Sequence, residues 1–440
     1  MNDWQTVSAA ALGRGIGDGR IDPVELADAF LEAIAAHPHG SRIYARTCPD
    51  RARAEALAAR DRARSGARKG PLDGVPVSWK DLFDTAGIGT EAGSKLLEGR
   101  VPESDAAVVA AARGRGLVSL GKTHVPELAF SGLGLNPVTA TPPNIHDADA
   151  LPGGSSSGAA ASVAFGLAPL AIGSDTAGSV RIPAAWNDLV GLKTTHGVLP
   201  NDGVVPLCPR FDTPGPLARS VEDVALGFEA LGGPAADLDG ASLDGMRFLV
   251  LEGTVLTELD KGVLAGFEDA VDRLSSAGAS ISHATLASVE EVFELTVLFA
   301  PEAYGTWRET IEANPAVMFP PILERFRSGA SMTAADYVAG WQRLERLRAD
   351  YLAATEGVDA VLLPTCPILP PNAAHLLEDE AAYTRANLLA LRNTRVGNLL
   401  GLSGLTLPTG MPSAGLLLQG GPCAEGRLLR LGAAAERALA

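Results

Sequence analysis

The sequence predicts an α/β protein: a parallel or mixed sheet covered by helices on both faces. From residue 71 onward, short apolar runs alternate with stretches of helical spacing, the pattern of strand and helix units wound on one sheet. Several of those runs are continuous enough in Val, Ile and Leu to be buried on both faces. A composition of 46% hydrophobic and 20% charged residues over 440 positions suits a chain that removes roughly three quarters of its extended surface from water.

The elements follow in order. Asp22-Pro23-Val24-Glu25 offers an N-cap, a proline at the first helical position and an acid at the third, and Leu26, Phe30 and Ile34 then recur every fourth residue. That spacing predicts an amphipathic helix. A second helix over 50–65 carries Arg51, Arg53, Arg60, Arg62 and Arg64, with alanines on its inner side and no aromatic interleaving, so it reads as a solvated face. Strands are predicted at 75–79, 116–120, 169–172, 248–251, 359–363 and 405–408. Helices are predicted at 104–113, 157–165, 221–231, 262–277, 333–354 and 423–439. Gly and Pro are scattered as turn punctuation and never gather into a linker, so composition marks no clear domain boundary, and residues 1–70 read as helices.

Composition narrows the function. With 36 Lys and Arg against 52 Asp and Glu, a net charge of −16 argues against direct nucleic-acid binding. Cys48, Cys208, Cys366 and Cys423 lie far apart without a CxxC pair, so neither a disulfide scaffold nor a metal site is expected. The most apolar stretch, 159–172, is broken by Ser162, Gly166 and Pro169 and is too short to cross a bilayer. The N-terminus has no basic patch followed by an apolar run, and a cytoplasmic location is the expectation.

Three motifs compete to explain the chemistry. Gly116 to Thr123 matches the Walker A pattern literally, but its interior is apolar and strand-like and Pro126 follows closely, so a buried strand is the preferred reading. Gly154-Ser155-Ser156-Ser157-Gly158 matches the G-x-S-x-G elbow, yet a polar, proline-containing stretch stands where its strand belongs. His196, His283 and His375 lie downstream, none in a context that marks a base. The third reading joins three segments: Lys80 at the end of an apolar run, the loop 152–158, and a second serine-glycine loop, 173–183.

In these segments the chain resembles the amidase signature family, whose members hydrolyse amides through a Ser-cisSer-Lys triad. Ser155 and Ser179 stand 24 positions apart, the family's spacing, and similar patterns occur at 90–94, 121–123, 191–194, 212–223 and 359–365. The likeness covers roughly 70–435. It implies a single α/β/α domain over 71–440 around a large mixed, mostly parallel sheet, with residues 1–70 as an N-terminal helical extension packed on it. Carried over position by position, it implies Ser179 as nucleophile, Ser155 as bridging serine after a cis peptide bond, and Lys80 as general base. Backbone N–H groups of Thr176, Ala177, Gly178 and Ser179 would hold the oxyanion. Ala177 replaces a glycine common in the family, which implies that this position need not adopt a positive φ.

Chemistry sets a condition on Lys80. A free lysine, near pKa 10.4, is protonated at neutral pH and must be brought down to roughly 7 to 8 to act as a base. Val75, Val77 and Trp79 fit such desolvation, and strand alternation should turn Asp81 to the other face. Asp175 and Arg181 flank the nucleophile, either to meet substrate or as an ion pair bracing the loop. Ser156 and Ser157 read as helix caps, with Ser156 also placed to bond within the triad.

No cofactor or metal is implied, and the expected partner is a small-molecule amide. The leading expectation is a stand-alone amidase working through an acyl-serine intermediate. The alternatives are a glutaminase subunit of a tRNA-dependent amidotransferase and a non-catalytic scaffold that kept the fold. Substrate-selecting residues are expected in 127–136, 299–319 and 365–371, with Phe130, Tyr304, Trp307 and Phe319 as pocket or core aromatics. The N-terminal extension could mediate a homodimer.

Overall fold

The computed structural model describes residues 4–440. Its strands are β1 (Tyr44–Thr47), β2 (Pro76–Lys80), β3 (Val118–Thr123), β4 (Leu170–Asp175), β5 (Val190–Lys193), β6 (Thr213–Ala218), β7 (Arg247–Leu251), β8 (Ser280–Ala284), β9 (Ala360–Pro364), β10 (Ser403–Pro408) and β11 (Gly415–Gly420). All eleven join one sheet in the order β1-β3-β2-β4-β6-β5-β10-β11-β9-β7-β8.

The sheet is mixed, as predicted, but the implied parallel majority is corrected. Among the described residues, parallel pairing is confined to β3-β2-β4 and β9-β7-β8, and the six remaining neighbour pairs are antiparallel. Chain connection explains the difference. Only a short turn separates β10 from β11, which a hairpin permits and a parallel crossover does not.

Alternation along the strands makes two cores, one on each face. Phe248 and Val250 of β7 enter one apolar cluster while Leu249 and Leu251 enter the other, and Leu362 and Leu363 of β9 divide in the same way. Val77 and Trp79 of β2 belong to the first cluster, which leaves Lys80 on the opposite face. That face is covered by the helix Glu380–Leu399, whose Ala390, Leu391 and Val396 belong to the second cluster.

The N-terminal segment joins the same body. Its helix Pro23–Ala36 is capped as predicted, Val24 N–H donating to Asp22 Oδ1 at 2.8 Å, and Leu26, Phe30 and Ile34 pack into the core with Val75 and Val118. β1 pairs antiparallel with β3 as the sheet edge, an element that the four residues Tyr-Ala-Arg-Thr do not announce. In the basic helix Pro49–Arg64, Arg51 pairs with Asp105, Arg53 with Asp28 and Arg62 with Asp73. These arginines tie the helix to its neighbours and are not free for a partner.

Phe30 is 1% exposed at this junction. Phe30→Ala is expected to cost roughly 3–5 kcal/mol through lost burial and the cavity left behind. Urea unfolding should show that loss as a lowered midpoint of the main transition, with no separate early transition for the first seventy residues.

Candidate active site

Strand β2 carries Lys80 into the interior and ends there. The side chain is 0% exposed, and its Nζ lies 2.7 Å from Ser155 Oγ, 2.9 Å from Ser174 Oγ and 3.3 Å from the Ser174 carbonyl. Burial lowers the amine's pKa to about 7, against the opposing pull of Asp212 and Asp175. Asp81 turns away as strand alternation predicts: its carboxylate faces Arg46 at 3.2 Å and Lys122 at 3.4 Å. A neutral amine has two N–H groups and one lone pair. With both N–H groups directed to Ser174, the lone pair is left for the Ser155 hydroxyl.

Ser155 follows a cis peptide bond from Gly154 and stands two residues before the helix Ser157–Ala164. Glycine is required at 154 by space, since a Cβ there would stand 2.6 Å from Gly134 N. The second serine loop leaves β4 and enters the helix Arg181–Trp186. Ser156 N–H donates to the Ser179 carbonyl at 3.0 Å, which ties the two loops together. Among the described residues, the hydrogen bond of Ser155 Oγ is with Lys80, and none joins it to Ser179 Oγ.

An ion pair braces the Ser179 turn. Arg181 Nε and Nη2 each lie 3.0 Å from an Asp175 oxygen, and both side chains are 0% exposed. Asp175 also accepts from Gly178 N at 2.8 Å, Val180 N at 3.2 Å and Asn398 Nδ2 at 2.8 Å. Burial alone would raise this carboxyl, but Arg181 outweighs it and holds the group well below the usual carboxylate range. The Gly178 amide, expected among the oxyanion donors, is engaged by Asp175 in this structure. The amides of Thr176, Ala177 and Ser179 have no hydrogen-bond acceptor among the described residues. Gly178 has φ 134°, Ala177 has no positive φ, and a Cβ at 178 would meet Thr394 Oγ1 at 2.1 Å.

Thr176, Ala177 and Ser179 form one wall of a narrow cleft, and Phe130, Ser131, Leu207, Phe299, Arg325 and Leu391 are among its other walls. The amidase family model matches residues 25–429, nearly the whole chain.

The chain belongs to the amidase signature family.

It is therefore a hydrolase of amide C–N bonds. It is 36% identical to 2-amino-5-chloromuconic acid deaminase of Comamonas testosteroni, over 82% of this chain and 80% of that one. It is 32% identical to the A-type subunit of glutamyl-tRNA(Gln) amidotransferase from Thermobifida fusca (strain YX), over 93% and 90% respectively. Among solved structures, the native peptide amidase of Stenotrophomonas maltophilia superposes with a TM-score of 0.82 at 28% identity, covering 99% of this chain and 97% of that one.

Within this amidase the competing motifs take structural positions. The Walker-like run is buried strand β3, and Lys122 is turned inward to the Phe83 carbonyl at 2.5 Å and Thr90 Oγ1 at 2.8 Å. No phosphate loop is formed. His196, His283 and His375 are exposed and belong to no triad. Ser156 holds the N-cap position of helix Ser157–Ala164 without a side-chain capping bond, and while its N–H reaches the Ser179 carbonyl, its hydroxyl donates to the Ser174 carbonyl and accepts from Ser174 N, each at 3.2 Å. Ser157 Oγ donates to the His124 carbonyl at 3.1 Å.

Of the regions expected to select substrate, 127–136 and 299–319 reach the cavity through Phe130, Ser131 and Phe299, whereas 365–371 does not. Trp307 is core, its indole N–H donating to the Pro206 carbonyl at 2.8 Å. Sequence reasoning missed Ser174, Asp212, Thr394 and Asn398. Asp212 accepts from Thr176 Oγ1 at 2.5 Å, and Thr394 Oγ1 donates to the Ala177 carbonyl at 2.7 Å. Ser174 was readable in principle, being one strand residue from Asp175. Nothing local marks Thr394 or Asn398.

Asp175→Ala leaves the buried Arg181 without its counter-charge and should cost about 3–5 kcal/mol. Chemical denaturation of the variant would show the loss, and Asp175→Asn should recover part of it by keeping the bonds from Gly178 and Val180.

Proposed function

We propose that this protein is an amidohydrolase of small carboxamides that works through an acyl-serine intermediate. The observation carrying the reading is the buried Lys80 amine 2.7 Å from Ser155 Oγ, on the loop bonded to the Ser179 turn. As the substrate carbonyl arrives, Ser179 Oγ bonds to its carbon while the Ser179 proton passes to Ser155 and the Ser155 proton to Lys80 Nζ. The oxyanion so formed lies within reach of the Thr176, Ala177 and Ser179 amides. Collapse breaks the C–N bond, and the leaving nitrogen takes a proton from Ser155, which recovers one from the Lys80 ammonium. Water then attacks the acyl-serine by the same relay, releasing the acid and freeing Ser179.

The relatives at 31–32% identity over more than nine-tenths of this chain favour one second reading, the A-type glutaminase subunit of a tRNA-dependent amidotransferase. The two readings differ in isolation. A stand-alone amidase releases ammonia from carboxamides by itself, whereas an isolated glutaminase of that type releases little from glutamine and co-purifies with a partner.

Ser179→Ala should lower amide turnover by at least about three orders of magnitude, followed as ammonia release across a carboxamide panel. Retained turnover would refute the nucleophile assignment.

The base has its own signature. Below its pKa of about 7, Lys80 holds a proton and cannot accept another, so kcat/KM should climb as pH rises through 7 and level off above it. A rising limb that survives in Lys80→Met would exclude the assignment.

A further inference from the structure

Helix Glu380–Leu399 turns two stripes in two directions. Leu391, Thr394 and Asn398 line the Ser179 cleft or hold its turn. Beside them Ala381, Arg385, Leu388, Arg392 and Arg395 recur at intervals of four and three, which places them on one adjacent stripe. That stripe walls an open pocket of about 930 Å³, which Glu258 and Thr296 also line and which shares no wall residue with the cleft. Small-molecule sites occupy roughly 300–1,000 Å³, so this pocket has the size of one.

Charge is unevenly satisfied along the stripe. Glu258 is committed to Arg385 at 2.6 Å, and Arg392 stands 3.9 Å from the same carboxylate while bonding the Thr257 carbonyl at 2.7 Å. Glu380 stands four turns before Arg395 on the helix, about 22 Å along its axis. Arg395 has no such partner. It is 8% exposed, its Nε is buried and unbonded, and its side chain makes no hydrogen bond or ion pair with a described residue. Burial, with the charge of Arg325 added, lowers its pKa to about 9, which leaves it cationic at neutral pH. A buried cation without a counter-charge is costly, and Arg51, Arg62 and Arg181 of this chain each meet a carboxylate. Between the charged groups the wall is apolar: Leu388, 48% exposed, and Leu389 offer it a greasy surface.

We propose that this pocket is a binding site for an amphipathic carboxylate, separate from the Ser179 cleft: the carboxylate meets the Arg395 guanidinium, and the apolar body of the ligand lies along Leu388 and Leu389. A planar guanidinium with unbonded N–H groups is the donor arrangement that matches a carboxylate. The acids in the pocket do not compete for it, one being held by Arg385 and the other lying several turns away. No residue assigned to amide hydrolysis takes part, so the inference stands apart from the amidase reading.

Calorimetric titration of the full chain with 4-phenylbutanoate and with 4-phenylbutan-1-ol separates the charge from the apolar body. The carboxylate should saturate one site and bind about 10- to 150-fold more tightly than the alcohol, the range of a charge-assisted hydrogen bond. Arg395→Met should bring the two ligands to within about threefold of each other. Leu388→Glu, at an exposed wall position, should weaken the carboxylate by about tenfold or more, and it decides the matter if the first variant does not fold. Protein labelled at Ser179 with a fluorophosphonate should bind the carboxylate as the unlabelled protein does. Equal binding of acid and alcohol, a preference that survives Arg395→Met, or loss of binding on labelling would each overturn the site. A Ser179 that takes no label would count against the amidase reading alone, and the two pocket variants would still decide this one.

Discussion

Withdrawal of the Lys80 amine from water is the constraint on which the rest of the site depends. An ammonium loses most of its hydration at the end of β2, and no carboxylate stands against it to restore the balance. The acids that could do so are committed elsewhere. Asp175 is matched by Arg181, while Asp81 faces Arg46 and Lys122. Asp212 accepts hydrogen bonds from Thr176, Leu207 and Cys208. The amine is thus held close to neutrality by burial and by the pairing of its acidic neighbours with other groups.

Arg181 therefore has two effects. It stops the Asp175 charge from acting in full on Lys80, and it shapes the turn that carries Ser179, since the same carboxylate also accepts from Gly178, Val180 and Asn398. Helix Glu380–Leu399 completes this arrangement from above. Thr394 reaches the Ala177 carbonyl, Asn398 reaches Asp175, and Leu391 closes the cavity. The Ser179 turn is therefore held from the helix layer as well as from the sheet, and a turn fixed on both sides keeps its free amides aimed without rearrangement.

Much of the fold was legible because its signals are local. The six predicted strands and eight predicted helices all appear, within a few residues of the expected ends, since apolar runs and helical spacing reflect burial directly. Of the five missed strands, β11 carries that signal in Leu416, Leu417 and Leu418 and went unread, while the other four lacked it. β6 contains Pro214 and Pro216, which argue against a central strand, and it is tolerated because β5 pairs only with Leu217 and Ala218 beyond them. β1 and β5 are four residues each, and β8 is an exposed edge. Of the site, Lys80, Ser155 and Ser179 were legible through the family resemblance of their motifs, and Asp175 with Arg181 through adjacency. Thr394 and Asn398 were not, because their partners Ala177 and Asp175 lie far along the chain.

By itself, the sequence determined the class of fold, the two serine-glycine loops and the lysine ahead of them, because each depends on neighbours within a few positions. Tertiary structure decided the rest. Which amides on the nucleophile turn remain free depends on where Asp175 points. Whether Lys80 is charged depends on water excluded by layers remote in sequence. Which cations stay unpaired depends on the acids that folding brings near them. Hydration and electrostatics act through space, and they were settled only when the helices closed over the sheet.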